Sequence, residues 1–213
     1  MSILIKSICS TCVVLFLAAD LAVAAPSSLA QQFLVETNLA RTDPRRYAGY
    51  LRDLRRHYQG KIYSLPGSDA MVMTSEGVAA LDEAVSFLSR QAPLSPFAWS
   101  RGLDEAAADL ARDEGQTGQI GHAGSRSGDM QERIERHGTW TRRIAENIGY
   151  GPDTARLMVM ELIIDDGVAG RGHRKNIFSR GFAVVGVACG PHSVYRIMCV
   201  MDFAGGFQSS GKP

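Results

Sequence analysis

The chain has 213 residues, 45% of them hydrophobic and 21% charged, with a formal net charge of +1. That is the composition of an ordinary globular protein with apolar material for one sizeable core, and one domain is the default. So even a balance of charge gives no footing for nucleic acid or an acidic membrane surface as partner.

Residues 1–24 read as a targeting signal and not as part of the fold. Lys6 supplies a positive n-region, Cys12 to Ala19 is a short apolar run, and Ala22-Val23-Ala24 is a small-residue cleavage site. The run is shorter than the roughly 20 apolar residues that span a bilayer, and Asp20 interrupts it, which disfavours the competing reading, a retained anchor. Cleavage removes one base, Lys6, and one acid, Asp20, and leaves the net charge at +1. The mature chain, 25–213, is then expected in a secreted or periplasmic location with no stable membrane span. Cys9 and Cys12 leave with the signal, and the remaining even pair, Cys189 and Cys199, is expected to form a disulfide; the alternative is two buried free thiols.

The first part of the mature chain, at about 28–98, punctuates into helices. Ser28 to Arg41 carries Leu29, Phe33, Val35 and Leu39, and Asp43-Pro44 then gives an N-cap followed by proline. The next helix is expected to reach about Tyr58, with Tyr47, Leu51 and Leu54 on one stripe and five arginines from Arg45 to Arg56 on a solvated face. Gly60 to Met73, with the turn Pro66-Gly67, reads as a surface loop. Ser75 opens a helix bearing Val78, Leu81, Val85 and Leu88. After a Gln91 to Trp99 linker, Ser100 caps another with Leu103, Ala107, Leu110 and Ala111 on one face.

Past Gly121, polar and glycine residues surround His122, and Ser127 is placed to cap a short helix that ends at Gly138. Ile144 to Ile148 reads as a buried strand and Pro152 to Ile164 as a helix. Phe182 to Ala188 and Val194 to Phe203 form a hairpin about Gly190-Pro191-His192-Ser193. A turn centred on Pro191-His192 does not set Cys189 opposite Cys199, so a disulfide needs a loop reaching toward Val194, or a bulge. Helices followed by strand, helix and hairpin argue α+β, with helices on the faces of a small antiparallel sheet.

Three segments concentrate the chemistry: Gly121-His122-Ala123-Gly124, Ala145-Glu146-Asn147-Ile148, and Asp165-Asp166-Gly167 through Gly172-His173-Arg174-Lys175-Asn176-Ile177. Each puts an imidazole or carboxylate beside glycine or at the end of an element, where side chains converge on a cleft. In this order, followed by a hairpin ending in Asp202-Phe203, they resemble the signature segments of bacterial CAP-domain proteins (cysteine-rich secretory protein, antigen-five and pathogenesis-related, or SCP-like). Phe33 to Ala48 resembles the first helix of that family and its following turn.

The resemblance implies an α-β-α sandwich whose cleft holds two histidines and two acids and binds a divalent metal in some members. His122, Glu146 and His173 match three of the four positions. For the fourth, the family commonly has a glutamate shortly after a tryptophan. This chain has Asp165, the nearest by spacing, with Asp166 its rival, and Ala145 stands where glycine is usual. Asn147, Asp166, Arg174 and Asn176 are expected as supporting residues.

Two neutral imidazoles, His122 and His173, with carboxylates nearby suit Zn²⁺ or another divalent metal. The competing reading is a pair of histidines that hydrogen-bond loop backbone. His57 in the arginine-rich helix, His137 at a helix C-terminus and His192 in the hairpin turn are lesser candidates. Three functions follow. The first is an exported module binding a lipid, a peptide or a cell-envelope component, as members of the family do. The second is a metal-dependent hydrolase with Glu146 or Asp165 as general base, although His-Glu-x-x-His and Gly-x-Ser-x-Gly are absent. The third is a structural or interaction protein without cleft chemistry.

Overall fold

Two capped helices lead the described part of the chain. Ser28 accepts from the Gln31 N–H while the Gln31 side chain returns to the Ser28 N–H, which starts α1 (Leu29–Thr42). Asp43 then accepts from the Arg46 N–H ahead of Pro44 and starts α2 (Pro44–Arg55). A computed structural model describes residues 28–67 and 71–210. The expected signal over 1–24, with Cys9 and Cys12, lies outside them.

The stripe Tyr47, Leu51 and Leu54 of α2 is buried as its spacing predicts, but Val35 of α1 is 67% exposed. The inner face of α1 is Phe33, Thr37, Ala40 and Arg41 instead. Spacing explains it: Val35 lies two residues from Phe33 and so about 160° away from it around the helix. The second helix ends three residues early, because Tyr58 leaves it for a strand. The expected loop after it carries three short antiparallel strands: β1 (Tyr58–Gln59), β2 (Ile62–Ser64) and β3 (Met71–Met73). Runs of two and three residues are too short for periodicity to reveal.

Next come α3 (Val78–Arg90), entered from Gly77 and not from Ser75, then β4 (Ala98–Trp99) and α4 (Arg101–Thr117). Gly118 closes α4 in the left-handed region, at φ 72°. A small ribbon, β5 (Ala123–Gly124) with β6 (Gly128–Asp129), precedes α5 (Met130–His137). The cap of α5 is Asp129 in a capping box with Glu132, not Ser127. The remaining elements are β7 (Gly138–Tyr150), α6 (Ala155–Ile164), α7 (Gly172–Ile177), β8 (Val184–His192) and β9 (Arg196–Ser209).

The fold is α+β. A four-stranded sheet in the order β4-β8-β9-β7 lies between helical layers, antiparallel except for β4, which runs parallel to β8. Alternation along β9 assigns its two faces. Cys199, Met201 and Phe203 join the large core built with α1, α2, α3, α6 and α7, whereas Met198, Val200 and Ala204 pack toward α4 and α5. Asp202 falls by the same alternation on the α4–α5 side.

The hairpin turn is Ser193 to Tyr195, two to three residues beyond the expected one, and pairing continues to His192 opposite Arg196. Cys189 therefore sits directly opposite Cys199, and the two form the disulfide. Among the described residues no helix is long and apolar enough to cross a membrane.

Candidate functional site

After Gly118 the chain turns through a loop that carries His122. Asp113 of α4 anchors this loop, accepting from the Ser125 hydroxyl, the N–H groups of Arg126 and Ser127, and the Ser127 hydroxyl at 2.7–3.1 Å. Burial works against the Asp113 charge, but those two backbone donors outweigh it and hold the carboxyl below its ordinary range.

Glu146 lies in the middle of β7 with a side chain only 1% exposed. One oxygen meets His122 Nδ1 at 2.8 Å, and the other accepts from Arg133 Nη2 at 2.5 Å. Arg133 is fully buried and also donates to the carbonyls of Gly128, at 2.7 Å, and His122, at 3.2 Å. One guanidinium thus fixes both the acid and the loop that presents the imidazole. The hydrogen bond to Glu146 raises the His122 pKa above its ordinary value, against the opposing effect of burial.

The second imidazole is built in the same way from other elements. Asp165 ends α6 in the left-handed region, at φ 58°, and is buried. Its Oδ1 meets His173 Nδ1 at 2.7 Å, and its Oδ2 accepts from the N–H groups of His173 and Arg174 at 2.9 and 3.3 Å. Asp166 faces elsewhere, accepting from the N–H groups of Ser75 and Glu76 at 2.5 and 2.8 Å. Neighbouring side chains diverge at a helix end, so one acid serves the histidine and the other the approach to α3.

The supporting residues tie these pieces together. Asn147 donates to the His173 carbonyl at 3.0 Å, and Asn176 donates to the Asn147 side chain at 2.9 Å. Arg174 donates to the carbonyls of Ile163 and Ile164, satisfying the last turn of α6, and pairs with Glu83 at 2.8 Å. The structure thus assembles two imidazole–carboxylate pairs, His122 with Glu146 and His173 with Asp165, joined through β7.

The other histidines are held as structural groups or stand apart. His137 Nε2 meets Asp109 at 2.8 Å at the end of α5. His192 is buried at the end of β8 and not in the turn itself; Nε2 donates to the Gln119 carbonyl while Nδ1 accepts from the N–H groups of Val194 and Tyr195. That pattern requires the neutral ring. His57 sits in the turn after α2.

Several residues of the site had no role assigned from the sequence. Asp202 is the register partner of Glu146 on β9 and is wholly buried, and as an ionised acid neither of its oxygens finds a donor among the described residues. Burial first and the charge of Glu146 second push its carboxyl well above the ordinary range. Glu114 of α4, buried as well, accepts from the Tyr150 hydroxyl at 2.7 Å, and burial raises its pKa. Arg133 lies in a short helix with no motif around it to mark it. Strand alternation could have set Asp202 beside Glu146, but only with the register known.

Beside His173 lies a slot of about 270 Å³ between α6, the end of β7 and the small sheet. Tyr58, Tyr63, Ile148, Met158 and Leu162 line it with Glu161, Asp165 and His173.

The metal implied by the resemblance can be tested against this donor set. Among the described residues no group of three or more His, Cys, Asp or Glu side chains is disposed to hold a metal ion. Both carboxylates are spent on the imidazoles, on Arg133 and on backbone N–H groups, the usual work of groups behind a metal ligand. What stays uncommitted is Nε2 of each ring, two donors where a catalytic zinc site uses three protein ligands. The two rings alone fall one protein ligand short of a catalytic zinc centre.

Comparison with curated proteins gives no match. Among solved structures, the chain is similar to an extracellular protein containing a SCP domain from Bacillus anthracis, with 18% identity and TM-score 0.42 over 52% of this chain and 34% of that one. It is similar to an outer surface protein from Borrelia burgdorferi, with 15% identity and TM-score 0.42 over 51% of this chain and 76% of that one. It is also similar to a cysteine-rich secretory protein from Staphylococcus aureus, with 12% identity and TM-score 0.40 over 68% of this chain and 46% of that one. The chain thus spans about a third of the first of these. The family model of the cysteine-rich secretory proteins matches residues 37–203, which takes in both imidazole–carboxylate pairs and the disulfide. The chain belongs to the cysteine-rich secretory protein (CAP) family.

Proposed function

We propose that this protein is an exported binding module whose ligand seats beside His173, with His122 and His173 offering Nε2 to it or to a divalent metal acquired from outside. The observation that carries the reading is the paired construction: each ring is fixed at Nδ1 by a buried carboxylate, and neither Nε2 hydrogen-bonds to a described residue. Fixing one nitrogen selects the tautomer and orientation of the other, which prepares it for a ligand. The apolar slot next to His173 adds the concave surface that a binding module needs.

Hydrolysis with Glu146 or Asp165 as general base is less well supported, since a base needs an oxygen within reach of the substrate proton. Both carboxylates have theirs engaged within the protein. Export is supported by the signal-like residues 1–24 and by the hairpin disulfide, which persists in oxidising compartments. The proposed ligand class remains a lipid, a peptide or an envelope component.

The test is Zn²⁺ titration by calorimetry at neutral pH on the wild type, His122→Ala and His173→Ala, with circular dichroism to verify folding. We expect weak, reversible binding in the wild type, lost in each single variant, and a double variant no worse than either. Wild-type affinity in either single variant would remove that histidine from the site.

A further inference from the structure

The slot beside His173 contains an acid that nothing so far has used. Glu161 points from α6 into a lining that is otherwise mostly apolar and contains no lysine or arginine. Its Oε1 accepts from the Tyr63 hydroxyl at 2.6 Å, and its other oxygen hydrogen-bonds to no described residue. Burial raises the carboxyl to about 7, with the Tyr63 hydrogen bond opposing. The other two acids of the slot are spoken for: Asp165 holds His173 and the N–H groups of α7, and Asp166 holds the N–H groups of Ser75 and Glu76.

A carboxylate kept in an apolar cavity without a cation costs stability unless a positive group arrives to meet it. The walls suit such a group. Tyr58 and Tyr63 stack with centroids 5.0 Å apart and both line the slot, and aromatic faces attract cations. A carboxylate ligand would meet three acids there, whereas a cation draws Glu161 into its charged form and pairs with it.

We propose that this slot binds a primary ammonium carried on a short apolar chain, Glu161 supplying the counter-charge and Tyr58 and Tyr63 the walls. This rests on the binding-module reading and names the chemistry of the ligand. About 270 Å³ holds an amine of a few carbons or the end of a lysyl side chain, and not an extended lipid.

The test uses the intact protein, with amide chemical shifts followed by NMR as n-pentylammonium, its neutral counterpart 1-pentanol, or a capped Gly-Lys-Gly peptide is added. We expect shifts confined to the small sheet β1 to β3, the end of β7, and α6 with the segment from Asp165 to His173, with 1-pentanol at least tenfold weaker than pentylammonium. Glu161→Gln keeps an acceptor for Tyr63 and removes the charge, and it should weaken pentylammonium at least tenfold while leaving 1-pentanol unchanged. Binding of either amine supports the proposal, and the tighter one identifies the source as a free amine or a peptide. If 1-pentanol binds the wild type as tightly as pentylammonium, the slot is a binding site and the charge assignment is overturned. If none of the three shifts the slot residues, the slot as a ligand site falls too, independently of the Zn²⁺ result. The wild-type comparison stands even should the Gln variant fail to fold.

Discussion

Glu146 and Asn147 are neighbours on β7 that serve different imidazoles. Alternation sends adjacent strand side chains to opposite faces of the sheet. Glu146 leaves toward α5, where it meets Arg133 and the His122 ring; Asn147 leaves toward α7 and accepts the task of holding the His173 carbonyl by its amide. One dipeptide therefore sets the relative placement of two rings that lie 51 residues apart in sequence.

The first consequence concerns pH. Because the Glu146 hydrogen bond raises the folded-state pKa of His122, the stability from this pair is fully present below the unfolded value of about 6.5 and lost as pH rises through the folded value. Proton NMR should find the His122 titration above that reference, and in Glu146→Gln it should fall. A midpoint unmoved by Glu146→Gln would show that the contact is not formed in solution.

Arg133 compensates a site that holds Glu146 and lies near Asp202. Arg133→Ala leaves Glu146 buried without its cation and should cost about 3 to 5 kcal/mol, measured by urea unfolding. A loss below 1 kcal/mol would mean that water enters freely.

Asp202 should respond to pH in the same sense as His122. An acid whose folded-state pKa is raised favours the folded state at low pH, and the advantage is lost as pH climbs. Asp202→Asn removes that loss, so its Tm relative to wild type should rise as pH climbs above the ordinary aspartate value of about 3.9. A constant or falling difference would contradict a protonated Asp202.

The two aspartates at the end of α6 should separate cleanly. Asp165→Asn should change the His173 ring resonances and tautomer, because it alters the Nδ1 partner. Asp166→Asn should leave them in place and cost about 1 kcal/mol of stability, the usual loss when a partner of two backbone donors is weakened. Identical His173 spectra in both variants would refute the assignment.

The disulfide closes a short loop, with a sequence separation of 10. Replacing both Cys189 and Cys199 by serine should cost about 2 to 3 kcal/mol from the loop-entropy relation. Mass spectrometry of the non-reduced wild type should find no free thiol at either position.

How far the sequence reveals this protein depends on the range of the interaction concerned. Helix starts at Ser28 and Asp43 were legible because a cap is a local bond between residues three apart. So were His122, Glu146 and His173, which sit in quotable segments. Arg133, Glu114 and Asp202 were not, because each matters only through a contact set by strand register or helix packing. The small sheet β1 to β3 was hidden by its short strands, and Glu161 with it, since its slot exists only when that sheet closes against α6. The hairpin turn was misplaced because Gly190-Pro191 outweighed, as a local signal, the pairing that the two cysteines impose.

The left-handed conformation of Asp165 binds helix termination to ligand geometry. Aspartate visits that region more readily than a longer acid, and from there its short arm reaches His173. The shorter acid at this position thus follows from where α6 stops, and lengthening it would misplace the carboxylate even with the charge preserved. The same coupling runs the other way: fraying of the last turn of α6 and reorientation of the His173 ring become a single event. Hydrogen exchange at the Asp165 amide, bonded to the Glu161 carbonyl at 2.7 Å, would then report on how often the binding site lets go.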